Sequence, residues 1–172
     1  NRILASTGLT KGALYHHFGS KQALGYAVVE ELLMEYLREI WLRPLENTPD
    51  PVEQMITSLR EMGSDISEDE LKYGCPLNNL AQEMAPVDEG FRERLEAAYT
   101  EWRGGIERAL ERGQQSGTVR KSIDAHAAAI TLVASLEGCI GMAKNARSRE
   151  LLMQCGKGVI DYLQSMKVTT AE

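Results

Sequence analysis

The chain has 172 residues, 43% hydrophobic and 26% charged, with a formal net charge of −6, a composition that suits a globular fold of one medium domain plus a small one. No apolar run approaches the roughly 20 residues needed to span a bilayer and no signal peptide is visible, so the sequence reads as a soluble cytoplasmic protein. The acidic total argues against a nucleic-acid partner only until its distribution is read: residues 1–29 contain Arg2, Lys11 and Lys21 and no Asp or Glu, a charge of +3, which leaves −9 for the remainder.

Residues 1–6 place Ile3 and Leu4 on one side of a short helix, and Thr7-Gly8-Leu9 reads as a tight turn. Thr10 is a candidate N-cap for a second helix, in which Leu14 and Phe18 share an inward face. Thr10, Lys11, Gly12, Ala13, Tyr15, His16 and His17 remain for another partner. Lys11 can reach a phosphate or a guanine edge, Gly12 and Ala13 let the backbone approach a groove floor, and Tyr15 and His16 can donate to phosphates. Gly19-Ser20 ends this helix, and Lys21 adds a cation at the start of the next, whose free N–H groups also favour a phosphate. A second helix that presents its N-terminal residues to the major groove is the docking of a helix-turn-helix.

The run ILASTGLTKGALYHHFGSKQAL resembles the DNA-binding motif of the TetR family of bacterial transcriptional regulators. Ala5, Gly8, Leu9, Thr10, Gly12, Leu14, Tyr15, His17, Phe18, Ser20, Lys21 and Leu24 meet its pattern at fixed spacing over about 24 residues. The family has a further helix before this motif. The resemblance therefore implies that this sequence, which opens at Asn1, is a fragment.

A long helix is expected over residues 21–42, with Leu24, Val28, Leu32, Tyr36 and Ile40 recurring every four residues, and Pro44, Pro49 and Pro51 break it. The domains divide accordingly: 1–42 as an incomplete DNA-binding domain with its connecting helix, and 43–172 as a helical ligand-binding and dimerisation domain. Another helix is expected over 51–66, then an exposed polar turn over 64–72. The run GCPLNNLAQEM, residues 74–84, resembles a segment that lies beside the ligand cavity in one subgroup of the family. A long helix starts at the cap Asp88 and ends at Gly117, with Gly104-Gly105 marking a kink or a close approach. Residues 125–143 are apolar all round apart from Glu137 and His126, which implies burial on every side, one of them by a second subunit. The last helix, 148–166, has Gly156 and Gly158 for close helix contact, and the tail from Val168 should fray.

The expected fold is thus all-α: an N-terminal helix-turn-helix joined by a long helix to an α-helical body. The expected function is a ligand-responsive regulator, a repressor, that binds a palindromic operator as a homodimer and is released by a small hydrophobic or aromatic effector. Candidate effector contacts are Met62, Cys75, Asn79, Leu80, Glu83, Tyr99, Trp102 and Glu137; candidate dimer contacts are Leu132, Leu136, Ile140, Leu152, Cys155, Val159 and Tyr162. The odd cysteine count, Cys75, Cys139 and Cys155, implies reduced thiols. Cys75 at a helix N-terminus supports an alternative, thiol-sensing reading. No Ser/His/Asp set, phosphate loop or metal-ligand cluster is visible, so neither an enzyme nor a cofactor or metal protein is expected.

Overall fold

The computed structural model describes residues 10–168. The expected helix over residues 1–6 and the turn after it lie outside that range. Helix α1, Lys11–Phe18, opens with the Ala13 amide donating to Thr10 Oγ1 at 3.2 Å and closes at Gly19, whose φ of 71° suits a residue without a Cβ. Ser20 then caps α2, accepting from the Ala23 amide at 2.9 Å.

Helix α2 covers residues 21–46 without a break, longer than the proline at 44 suggests. Two of its stretches, Val28–Leu33 and Arg38–Leu42, are wound as π-helix. The second supplies the reason for the extra turn. The Arg43 amide donates to the Arg38 carbonyl, so the ladder is already widened where Pro44 lacks a donor and would crowd the preceding turn. About 26 residues at 1.5 Å each make a lever of roughly 39 Å.

The body follows. Helix α3, Pro51–Asp65, is capped by Asp50. Helix α4, Glu68–Tyr73, replaces the expected turn: Ser67 accepts from the Glu70 amide while Glu70 accepts from the Ser67 amide, a reciprocal box that fixes a short helix despite its polar composition. Helix α5 is Pro76–Met84. Helix α6, Glu89–Ser116, begins at Asp88 and ends at Gly117, φ 81°. Helices α7, Ala125–Ala146, and α8, Arg149–Gln164, are capped by Asp124 and Ser148.

The core is organised on α6, where Phe91, Leu95, Ala98, Trp102, Ile106, Ala109 and Leu110 are buried. Gly105 marks a close approach: a Cβ there would collide with the side chain of Leu42 on α2. The tail beyond Val168 lies outside the described residues. Val119 and Lys167 form a short antiparallel bridge, with Arg120 N donating to Met166 O at 2.9 Å and Val168 N to Thr118 O at 3.2 Å.

One expectation about α7 is corrected. At 22 residues and a mean hydropathy of 1.4 over its most apolar window, it is long and apolar enough to cross a membrane, and 44% of that window is buried in the chain. Within the single chain α7 is buried on one side only, which leaves the side expected to meet a second subunit uncovered. Ala128, Leu132, Val133, Leu136 and Cys139 face the core, while Ala127, Ile130, Thr131, Ala134, Gly138 and Met142 are exposed. The thiol expectation also fails: Cys139 and Cys155 form a disulfide that ties α7 to α8, their Cα atoms 5.6 Å apart. Sixteen residues of separation across a helix–turn–helix carry no pairing signal in the sequence.

Candidate functional site

At the tip, Thr10, Gly12, Ala13, His16, His17 and Lys21 are exposed along and beside α1. Phe18 is half-buried, with the His17 ring edge-on to it at 4.6 Å. The described tip thus offers small residues at the helix start and imidazoles farther along, on a helix whose first turn is capped by Thr10.

The tip is fastened to the body where α2 meets the start of α6. Asp88 organises this junction. Its carboxylate caps α6 through the Phe91 amide at 3.0 Å, accepts from the Tyr26 hydroxyl at 2.7 Å and accepts from Gln22 Nε2 at 2.5 Å. The Tyr26 hydrogen bond holds the Asp88 carboxyl below the usual carboxylate range, and Asp88 in turn raises Tyr26. The Arg94 guanidinium lies over the Tyr26 ring at 4.1 Å and pairs with Glu30 at 2.8 Å. Gly25 and Gly90 make room: a Cβ on Gly25 would lie 2.5 Å from the Phe91 ring, and one on Gly90 would collide with the Tyr26 phenol. Sequence reasoning identified Asp88 only as a cap; its distant partners Gln22 and Tyr26 had no local signal.

A second polar cluster is buried in the body. Glu137 on α7 is 7% exposed and neither carboxylate oxygen has a hydrogen-bond partner among the described residues. Burial pushes its carboxyl above the usual range; the nearby Cys75 thiol and Asn78 amide only partly oppose this. Tyr99 is also raised, by burial first and then by Glu137 and Cys75. Trp102 is 3% exposed and its Nε1 has no partner among the described residues. Its ring lies near-parallel to Tyr99 at 6.5 Å and packs on Trp41 of α2 at 5.6 Å. Of the expected effector contacts, Cys75, Tyr99, Trp102 and Glu137 are therefore brought together.

The others are not. Asn79 donates to the Tyr73 carbonyl at 2.8 Å and accepts from Lys144 at 2.6 Å, so it ties α4 and α5 to α7. Glu83 is exposed and Leu80 packs on the core edge. Met62 lines a separate cleft of about 390 Å³ between α3, α7 and α8, with Leu59, Leu136, Ile140, Leu152 and Ile160. Cys75 is no thiolate: burial, then the Glu137 carboxyl, pushes its pKa up to about 12, which overrides the helix N-terminus.

Residues 51–158 match the family described as transcriptional regulator LmrA/YxaF-like, C-terminal domain, and residues 1–28 match bacterial regulatory proteins, tetR family. The chain belongs to the TetR family. It is 31% identical over 165 residues to the HTH-type transcriptional regulator LmrA of Bacillus subtilis, covering 95% of this chain and 85% of that protein. It is 29% identical over 152 residues to the HTH-type transcriptional repressor DhaR of a Mycobacterium species, covering 88% and 75%. A TetR transcriptional regulator from Chloroflexus aurantiacus superposes with a TM-score of 0.81 at 28% identity, over 96% of this chain and 83% of that one. This TetR-family protein is a transcriptional regulator and not an enzyme.

The expected dimer residues divide in this TetR fold. Leu132, Leu136, Leu152 and Val159 are at most 5% exposed within the chain's own core, so they have no surface to offer a partner. Cys155 is held in the disulfide and Ile140 is half-buried; Tyr162 is 37% exposed. The outward apolar groups of the same helices are Ile130, Met142, Met153 and Tyr162. The glycines at 138, 141, 156 and 158 have open space where a Cβ would point, so no close contact within the chain requires them.

Proposed function

We propose that the chain is the DNA-reading and effector-binding part of a homodimeric repressor that works in the cytoplasm. Residues 1–42 form the DNA-binding unit with its connecting helix, and 43–172 the effector and dimer unit. Helix α1 lies in the major groove with Thr10, Lys11, Gly12, Ala13, Tyr15, His16 and His17 toward the DNA and Lys21 on a phosphate. The observation that carries this reading is the capped, outward-facing α1 on a tip that continues directly into α2. Two-fold symmetry would place two such helices roughly 34–36 Å apart on a palindromic operator.

The exposed stripe of α7, Ala127, Ile130, Thr131, Ala134, Gly138 and Met142, with Tyr162 on α8, supports a packing surface for the second subunit. Small residues there suit close approach of helices, and two-fold pairing is the commonest oligomer. A small apolar or aromatic effector binds at Cys75, Tyr99, Trp102 and Glu137. Trp102 packs on Trp41, so occupation of this cluster reaches α2, and α2 is fastened at the Asp88 junction that sets the tip's angle. The effector shifts the two tips only by its differential affinity for the two arrangements.

The test is fluorescence anisotropy with the DNA upstream of the protein's own gene, across a salt series, beside a Lys11→Ala, Tyr15→Phe variant. The expected result is tight binding that falls steeply with salt and weakens in the variant. Absence of binding at low salt, to that DNA and to a random-site library, would overturn the proposal.

A further inference from the structure

We infer that Glu137 and Trp102 Nε1 are the polar anchors for an effector that carries a hydrogen-bond donor, an ammonium or a hydroxyl group, on a flat apolar body. This rests on the reading above, in which the same cluster binds the effector, and it assigns the chemistry of that effector. A carboxyl more than nine-tenths buried normally has a cation or several donors around it, because water has been removed and nothing else can solvate it. Among the described residues Glu137 has no cation and no partner at full hydrogen-bond geometry: only the Cys75 thiol and the Asn78 amide approach its oxygens, and the neighbouring indole N–H is unpartnered.

The groups that face it explain why. From the start of α5 come the Cys75 thiol and the Asn78 amide, and from α6 the Tyr99 phenol, with Arg103 acting on that phenol and not on Glu137. Lys144, farther along α7, is spent on Asn79. Among the described residues no side chain supplies the missing cation. A ligand that brings one, or a hydroxyl, meets a waiting acceptor, and its own acceptor atom can take the Trp102 N–H. The near-parallel Tyr99 and Trp102 rings favour a planar body, since aromatic faces gain most from flat partners. The empty carboxyl keeps its proton above the usual range, so an ammonium ligand must displace that proton to the solvent, whereas a hydroxyl ligand can bind without net proton transfer.

The experiment is isothermal titration of the full chain with three matched probes: naphthylmethylamine, naphthol and methylnaphthalene. They share one planar body and differ only in the donor. The wild type should bind at least one donor probe about tenfold or more tightly than methylnaphthalene. Glu137→Leu should abolish that preference and keep methylnaphthalene binding. Glu137→Gln, nearly isosteric and still an acceptor, should keep naphthol and lose the amine. Titration in two buffers of different ionisation enthalpy separates the sources: proton release marks the ammonium, and its absence the hydroxyl. Equal binding of all three probes, no binding of any, or an undiminished donor preference in Glu137→Leu would overturn the inference. Operator anisotropy on the same samples keeps the failures apart: intact DNA binding with no donor preference sinks only the effector chemistry, and absent DNA binding sinks the regulator reading.

Discussion

Asp88 and Glu137 are two carboxylates treated in opposite ways by one fold. At the α2–α6 junction Asp88 is surrounded by donors, the Phe91 amide, the Tyr26 hydroxyl and the Gln22 amide, and its proton affinity falls. Inside the body Glu137 has, among the described residues, only the Cys75 thiol and the Asn78 amide near its oxygens, neither at full hydrogen-bond geometry, and burial raises its proton affinity. A satisfied network fixes geometry, because each group would lose a partner by moving. An unsatisfied one marks a place where something is still to arrive. The first cluster ties α2 to α6; the second is the one we propose to meet an effector, and Trp102 packed on Trp41 links it to α2.

The comparison can be broken most severely at the junction's glycines. Gly25→Ala puts a Cβ into the Phe91 ring and should cost about 1–3 kcal/mol by overpacking. Operator affinity should fall with it, as read by denaturant unfolding and anisotropy; an unchanged midpoint would mean that the tip is not seated on α6. Next is Asp88→Ala, which removes the α6 cap and frees Tyr26 and Gln22. It should lower the melting temperature by a few degrees, whereas Asp88→Asn, still a competent cap, should lose less. The sign with pH follows from the lowered carboxyl: the junction's contribution is present above the usual carboxylate range and is lost as pH falls through the Asp88 value, so the Ala and wild-type curves should converge in acid. The smallest effect belongs to the half-exposed pair Arg38–Glu101, 2.6 Å apart. Arg38→Ala should cost under about 1 kcal/mol, and less in high salt.

Much of this was legible because local signals dominate helical folds. Thr10 and Asp88 were visible as residues that can cap, and the capped helices follow them; the caps at Asp50 and Ser148 came only with the structure. The misses have physical causes. Pro44 ends an α-helix on propensity alone, but a π-type turn accommodates it. The Ser67–Glu70 box was present in the sequence and was outweighed by the polarity of its surroundings. On α7 and α8 the pattern gave apolar faces without saying which one the chain itself would cover, so Leu132, Leu136, Leu152 and Val159 were assigned to a partner although the chain's own core takes them. At the buried Glu137 cluster Tyr99, Trp102 and Glu137 were readable as unusual residues on long helices. The link from Gln22 and Tyr26 to Asp88 spans more than sixty residues and was not readable at all.

The most direct measurement is thermal unfolding of the wild type and Glu137→Leu between pH 5 and pH 8. The folded wild type keeps on Glu137 a proton that the unfolded chain gives up at the usual carboxylate range, so its stability declines as pH rises from that range toward the raised value. Glu137→Leu has no such decline. It should equal the wild type in acid and exceed it near neutrality, by about 1–3 kcal/mol for a carboxyl left unsatisfied. A variant that is less stable than the wild type near neutrality would show that Glu137 has structural partners, and would contradict the contrast between the two carboxylates.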